Sequence, residues 1–578
     1  MSAIACSLGC GRSGGAADGS SQGNTNVLLI SLDSTRRDYL SAYGHRAPHA
    51  PAMASTPCID ALAEQGVLFE DAYSTTSWTL PSHCAILTGQ PDLVHAVELE
   101  IYKLDGTHAT LAETLRDAGY RTAGFFSGPH LEPRFGFDRG FERYVECYGE
   151  QLRRSSANAR VHAGLLEEQE QGGMSAELVA AFNANVEAQR ELEVAAQGDV
   201  SSMSVADAAI SEIEEAASGE RPFFIFAHFF DPHFDYTPPH PFRERFDPEY
   251  SGDIDGDAFF RNPAIARVDE SRPSGRVRVV SERDLEHLQA LYAGDLSWTD
   301  AQVGRILDVL SDHGLAQNTL VVIVADHGDE FFEHDGIGHR RTLFEEVVQV
   351  PMILRLPEVL PAGTRVPGPV STADLFPTVL DLIQVPLTSD TCSRSLVDQV
   401  LDPTGTVLPG VMGRLVRTQS VRVQTTIGDE QVVTPVDRVS VIETFRIGAI
   451  KITRQRDWLK PPAGSAAAVH ESIQNLSRQM YSDERLVWID IESAPDEQEQ
   501  DHSTDFSDPR AGSALTSFRT AYSRLVAGRS TAGLEEASGV MDGALSGLGY
   551  AEALELGGTV DLGEFVLPPP GEALIKDH

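Results

Sequence analysis

Apolar runs and amphipathic stretches alternate along most of the chain. NVLLISLD, residues 26–33, is a short apolar run bounded by turn-forming residues, the pattern of a strand buried in a parallel sheet. TPCIDALAEQGVLF follows, with Thr56 as helix cap and Pro57 at the first helical position. THATLAETLRDAGYRTAGFFS predicts a helix ending at Gly119 and then a strand. Residues 150–220 are rich in Ala, Glu and Gln and read as helical or mobile. RPFFIFAHFFDPH predicts another buried strand, DLSWTDAQVGRILDVLSDHGL an amphipathic helix, and NTLVVIVADHGDE a strand ending in acids. Strands alternating with helices point to an α/β fold with a large, mostly parallel central sheet flanked by helices. Beyond about residue 400, VRVQTTIGDEQVVTPVDRVSVIETFRIGAIKITRQ alternates and is β-branched, which predicts a smaller C-terminal antiparallel sheet. The expected division is a tail over 1–24, a catalytic domain over 25–400, a β subdomain over 401–510 and a partly helical tail over 511–578.

In such sheets, ligands collect at the carboxyl ends of the strands. Three polar clusters fall there: Asp33, then Asp231 with His233, then Asp326 with His327. Asp33, Asp326 and His327 are hard or borderline donors for a divalent cation. Singly, such an Asp caps the next helix and such a His is satisfied by hydrogen bonds. Together, and with a hydroxyl nearby, they read as a metal site. The hydroxyls of SWTLPSHCAILTG, residues 77–89, are the candidates.

Composition narrows the partners. Against 86 acidic residues stand 45 basic ones, a net charge of -41. That argues against nucleic acid, because neutralising phosphates takes Lys and Arg. The acids are spread along the chain and read as a solvated surface. The six cysteines include no CxxC pair, which argues against a zinc finger or a thioredoxin-like site. They are too sparse for a disulfide framework, leaving only a Cys58–Cys84 bridge open. No apolar run is long enough for a transmembrane helix. SLGC, residues 7–10, followed by Gly and Ser, resembles a bacterial lipoprotein cleavage site. It would anchor Cys10 to lipid and place the protein in the periplasm or at the cell surface. The apolar stretch before it is short, and a disordered tail is the equal alternative.

VLLISLDSTRRDYLSAYG, TPCIDALAEQGVLFEDAYSTTSWTLPSHCAILTG, FFIFAHFFDPHFDYTPP and ADHGDEFFEHDGIGHRRTLFEEVVQVPMILR resemble, in order and spacing, the motifs of the sulfatase family within the alkaline phosphatase superfamily. The resemblance covers roughly residues 25–390. VSTADLFPTVLDLI matches the end of that catalytic domain, and FRIGAIKITRQ with ERLVWIDIESAPDEQEQ resembles the family's C-terminal sheet. It implies the alkaline phosphatase/sulfatase-like fold and a hydrolase of sulfate or phosphate esters. Sulfatases carry Cys/Ser-x-Pro-Ser-Arg, whose first residue is oxidised to formylglycine, the nucleophile. Aligned on Pro81 and Ser82, this chain has Thr79 at that position and His83 at the arginine. The methyl group on its β-carbon bars Thr79 from conversion, and Cys84 has no proline two residues on. A threonine ester lacks the aldehyde exit of formylglycine hydrate, so water must cleave it. Threonine nucleophiles occur in superfamily relatives that handle phosphorus, which moves the expectation towards a phosphodiester.

The resemblance further implies one divalent metal ion (calcium, manganese or zinc) on Asp33, Asp326, His327 and the Thr79 oxygen. His327 replaces the family's usual asparagine, which favours manganese or zinc. His233 and His339 are expected to bind the ester oxygens or protonate the leaving group, with His339 at the place of a substrate-binding lysine. A second family lysine, in Gly-Lys-x-His, is also missing: FFSGPHL puts Ser127 near it and His130 near the histidine. His83, Ser127 and His130 are thus expected to contact substrate. Losing two lysines suits a diester better than a sulfate monoester. Ser34 stands where many sulfatases have another aspartate ligand. Arg36 and Asp38 read as a helix-start ion pair, and Asp231 as a ligand only if a second metal were present. Asp329, Glu330, Glu333 and Asp335 read as a solvated acidic loop, and His95 and Lys103 as pocket or surface residues. The substrate is expected to be a small-molecule, glycan or lipid ester. The alternatives are a transferase of phosphoryl-alcohol groups to an envelope glycan or lipid, and a non-catalytic protein that keeps the fold.

Overall fold

The computed structural model describes residues 25–98, 102–149, 201–257, 276–402, 411–427, 430–460 and 485–494, with shorter pieces between them and out to residue 528. Cys10 and its surroundings, nearly all of residues 150–200, and the tail beyond 528 lie outside the described residues.

The main sheet has nine strands. They are β1 (Asn26–Leu32), β2 (Val67–Tyr73), β3 (Arg121–Phe126), β4 (Arg143–Glu146), β5 (Phe223–Phe229), β6 (Thr319–Ala325), β7 (Gln349–Val350), β8 (Met352–Arg355) and β9 (Thr364–Ser371). Their order is β7-β2-β8-β6-β1-β5-β3-β4, with β9 also paired to β2. Strands β6, β1, β5, β3 and β4 run parallel, whereas β8 is antiparallel to both its neighbours. Every residue of β1, β5 and β6 is buried, as continuous apolar runs covered on both faces require. The helix Ser202–Ala216 lies against β5, β3 and the long helix Glu282–Asp312, and the helix Pro57–Glu64 packs on that long helix too.

Register decides where the polar residues go. Leu32 pairs with Phe229 and with Ala325, and Phe126 pairs with His228. Asp33, Asp326 and Ser127 therefore emerge side by side at the carboxyl edge, with His228 within the last turn of pleat.

The C-terminal sheet is antiparallel throughout: Val411–Ile427, Glu430–Ile447, Ile450–Lys460 and Arg485–Asp490, in that order. The helix Pro509–Gly528 covers it, with Phe518 and Ala514 packed on Phe445 and Ile452. A fully buried lysine fastens this sheet to the main body. Lys451 Nζ donates to the carbonyl of Leu343 at 2.8 Å and pairs with Glu497 at 2.8 Å and Glu345 at 3.2 Å. Cys58 and Cys84 are free thiols, so the bridge that stayed open in the sequence does not form. Among the described residues no helix is long and apolar enough to cross a membrane.

Candidate active site

Asp33 ends β1 with its carboxylate fully buried. Ser34 follows at φ 51°, a left-handed turn that aims its N–H at Asp326 Oδ1, 3.1 Å away. The Ser34 hydroxyl donates to Asp33 Oδ1 at 2.8 Å. Asp326 ends β6 and also accepts the His327 N–H through Oδ1 at 2.8 Å. Its Oδ2 is buried and has no hydrogen-bond partner among the described residues.

Thr79 opens the helix Thr79–Thr88, which stops at Gly89 in the left-handed region. Its hydroxyl donates to Asp33 Oδ2 at 3.3 Å and lies 3.4 Å from His327 Nε2. This end of the helix carries the positive end of its dipole; of the first-turn N–H groups, Pro81 supplies none and that of Ser82 donates to the Trp78 carbonyl at 3.3 Å. Asp33, Asp326 and His327 offer ligand atoms within 4.8 Å of one another. Two buried carboxylates side by side, one oxygen of them unbonded, with imidazoles around, form a donor set that suits a divalent cation.

The charges respond to this crowding. Burial pushes Asp33 upward, but His228, His233 and His327 outweigh it and hold its carboxyl well below the usual range. Burial, and then the charge of Asp33, push Asp326 well above it. Burial lowers His327 to about 3 and His233 and His339 to about 4, so all three are neutral imidazoles at neutral pH.

His233 and His339 face each other with ring centroids 5.1 Å apart, and His339 lies 4.2 Å from His327. His233 is stacked on Phe230 and donates from Nδ1 to the carbonyl of Phe234 at 2.7 Å. A small hairpin, Glu330–Phe331 against Ile337–Gly338, returns the chain so that His339 sits beside Asp329. Nδ1 of His339 donates to Asp329 Oδ1 at 2.6 Å, and the Tyr236 hydroxyl donates to Asp329 Oδ2 at 2.7 Å.

The acidic run is thus divided, not uniformly solvated. Asp329 and Glu330 are buried, and burial raises them to about 7 and about 8. Glu333 and Asp335 are exposed, as expected. Arg36 pairs with Asp38 through two hydrogen bonds, and it also holds the Asp329 carbonyl at 3.0 Å and Glu333. Asp231 does not join the carboxylates. It accepts the Ser202 N–H at 3.0 Å and the Ser202 hydroxyl at the start of the helix Ser202–Ala216.

His83 faces the sheet. Its Nδ1 donates to the Thr79 carbonyl at 2.9 Å, and its Nε2 lies 2.8 Å from the Ser31 hydroxyl. Both ring nitrogens are thus engaged with protein atoms, which leaves none to contact substrate in this arrangement. His130 is buried edge-on to Trp78. Ser127 has a buried hydroxyl with no hydrogen-bond partner among the described residues. Arg340 lies over the Trp78 ring at 3.9 Å, next in sequence to His339. His95 is buried with its Nδ1 accepting the Val97 N–H, and Lys103 is half-buried.

Sequence reasoning passed over His228. It lies within the apolar run of β5, yet its Nε2 approaches Asp33 Oδ2 at 3.3 Å, while Nδ1 donates to the Ser127 carbonyl at 2.8 Å. Its alignment with Asp33 depends on strand order, which the sequence does not display.

This fold and this edge define a protein of the alkaline phosphatase-like α/β class. The sulfatase family model matches residues 25–385, and the chain belongs to that family. It is 24% identical over 395 residues to the ulvan-active sulfatase of Formosa agariphila, an alignment covering 65% of each protein. It is 25% identical over 374 residues to human iduronate 2-sulfatase, covering 61% of this chain and 62% of that protein. The chain thus matches just under two thirds of the length of these curated relatives. Among solved structures, the phosphonate monoester hydrolase of Agrobacterium radiobacter superposes with a TM-score of 0.57 at 20% identity, covering 87% of this chain and 95% of that one. The phosphonate monoester hydrolase of Silicibacter pomeroyi gives 0.51 at 20% identity, over 83% and 99%.

Proposed function

We propose that the protein is a metal-dependent ester hydrolase with Thr79 as nucleophile, acting on phosphodiesters in preference to sulfate monoesters. The observation that carries this reading is the Thr79 hydroxyl at a helix N-terminus, 3.3 Å from Asp33 and 3.4 Å from His327. Asp33, Asp326, His327 and Thr79 would hold one divalent ion. Bound there, the ion would lower the pKa of the threonine hydroxyl and neutralise a non-bridging ester oxygen.

The chain's own groups do the rest. Asp33 accepts the hydrogen bond that aims Thr79 Oγ, which gives up its proton to water and attacks phosphorus in line as the phosphorus–oxygen bond to the leaving alcohol breaks. The positive end of the Thr79–Thr88 helix dipole favours the charge that develops on the ester oxygens. His233 and His339 stand beside His327, at the Thr79 end of the site. An anionic ester arriving between them favours their protonated form, and one of them then delivers a proton to the leaving oxygen. The same pair activates water to cleave the threonine ester.

The names of the curated relatives, an ulvan-active sulfatase and iduronate 2-sulfatase, favour a glycan for the organic part of the substrate. An exported location, with Cys10 as a possible lipid anchor, belongs to the same reading. The test is a leaving-group-matched comparison of aryl sulfate, aryl phosphate and aryl phosphodiester. Metal-stripped enzyme is resupplied with calcium, manganese or zinc, and Thr79→Ala is run in parallel. Diester turnover that disappears in Thr79→Ala is the expected result. Sulfate turnover that survives in Thr79→Ala overturns the assignment of the nucleophile.

A further inference from the structure

His228 has a nitrogen lone pair with no stated use. The Ser127 carbonyl can only accept, so the Nδ1 contact at 2.8 Å fixes the ring proton on Nδ1. Nε2 then points at Asp33 Oδ2, 3.3 Å away, and forms no hydrogen bond there, although the side chain is fully buried. A second buried orphan faces the same space: Asp326 Oδ2. His228, His83 and Asp326 offer ligand atoms within 4.8 Å of one another, as do Asp33, Asp326 and His327. His83 is already committed, donating to the Thr79 carbonyl and lying against the Ser31 hydroxyl. His228 thus shares Asp326 with the Asp33–Asp326–His327 group and borders the second oxygen of Asp33, so the two groups meet at the carboxylates. The spacings are short: His327 Nε2 is 3.4 Å from Asp326 Oδ2 and 3.7 Å from Asp33 Oδ1, and His228 Nε2 is 3.3 Å from the other Asp33 oxygen, Oδ2. Ligand atoms held tetrahedrally at roughly 2.0–2.1 Å from zinc lie roughly 3.3 Å apart.

We propose that His228 is a direct ligand of the active-site cation, and that the resulting set of two imidazoles and two carboxylates, with the Thr79 oxygen, selects a zinc- or manganese-type ion over calcium. This rests on the reading of Asp33, Asp326 and His327 as a metal site and names the donor that sets its selectivity. Calcium takes six to eight oxygen ligands, which a set with two imidazole nitrogens among its five donors does not supply. The Ser127 carbonyl holds the tautomer and the ring plane, as partners of metal-bound histidines do.

The experiment uses the full chain loaded with manganese, with coordinated imidazole nitrogens counted by pulsed electron paramagnetic resonance. Zinc and calcium affinities are measured alongside by calorimetry, and thermal melting confirms folding. Two coordinated imidazoles are expected in the wild type and one in His228→Asn. Zinc affinity should drop on the order of a hundredfold or more, and calcium binding should stay unchanged. His233→Asn should leave the count at two. If His228→Asn does not fold, His327→Asn carries the test, and one imidazole must remain. A wild-type count below two, or a count that His228→Asn leaves unchanged, overturns this assignment alone. Failure of the wild type to bind any divalent ion overturns the metal-dependent reading itself.

Discussion

Nδ1 of His339 and Oδ1 of Asp329 lie 2.6 Å apart, and both side chains are closed to solvent. The contact leaves His339 Nε2 as the basic nitrogen and fixes the ring plane between His233 and His327. Tyr236 holds the other oxygen of Asp329 from behind. Asp329 therefore acts through His339 as a positioning residue. Asp329→Asn keeps the size but puts an N–H donor against either Tyr236 or His339. Turnover should fall on the order of a hundredfold, with KM changing little. Tyr236→Phe, which spares the His339 contact, should give a much smaller loss. Steady-state kinetics of the two variants check this, and equal losses would refute it.

On the proposed reading, Asp326 would stabilise an ion at the expense of the metal-stripped fold. Its Oδ2 is buried without a hydrogen bond, and burial together with Asp33 pushes its pKa upward. Asp326→Asn removes that charge and keeps an oxygen for the N–H groups of Ser34 and His327. The metal-stripped variant should be more stable than the metal-stripped wild type by about 1–3 kcal/mol. With a divalent ion added, the order should reverse, because the wild type gains binding energy that the variant lacks. Denaturant midpoints with and without chelator test both halves.

Lys451 gives a pH-dependent prediction far from the chemistry. Glu345, half-buried, and Glu497, buried, share its ammonium. Burial raises Glu497 to about 7, above its ordinary 4.5, even beside Lys451. Between those two values the native state keeps a proton that the unfolded chain releases, so this group lowers stability as pH rises from 4.5 to about 7. Glu345 is held down, against its burial, chiefly by Lys451 and Arg446, and contributes stability that is lost as pH falls. In Lys451→Met Glu497 loses its cation and Glu345 keeps only Arg446, so both shift up. The variant should be near wild-type stability at pH 5 and about 3–5 kcal/mol less stable at pH 8. Urea melts at the two pH values decide it. An equal loss at both would mean that packing, not charge, governs this joint.

The parts of the site that were legible from sequence are those that strand ends announce. Asp33 and Asp326-His327 each close an apolar run, so a parallel sheet had to bring them to one edge. His228 was illegible because it lies inside such a run, where a histidine reads as an ordinary core residue. Only the pairing of β1 with β5, which sets Ser31 opposite His228, turns it towards Asp33. Asp329 was misread for the opposite reason. An acidic run looks solvated until the hairpin Glu330–Phe331 with Ile337–Gly338 folds its first two members inward and its later ones outward. Asp231 carried a motif-like position, but its backbone directs it to the Ser202 helix. Side-chain direction at a loop is not encoded by residue type.

Gly328 joins the two halves of the site, since it lies between His327 and Asp329. A Cβ there would sit 2.3 Å from the Glu346 carbonyl and 2.9 Å from Arg36 Cγ. The Gly328 N–H also donates to the Val347 carbonyl at 2.7 Å, so the backbone has no room to retreat. Gly328→Ala must therefore displace either the short helix Glu345–Val348 or the loop that carries His327 and Asp329. Loss of about 1–3 kcal/mol of stability is expected, together with loss of metal affinity and turnover. Gly314→Ala is the matched control. That glycine has φ +69° and nothing within 4 Å of its Cβ position, so alanine there meets only the left-handed backbone penalty of about 1–2 kcal/mol. Equal losses of stability with unequal losses of metal affinity would locate the effect in the His327–Asp329 loop. Retention of wild-type metal affinity in Gly328→Ala would show that the loop tolerates displacement and that its close packing does not set the ligand geometry.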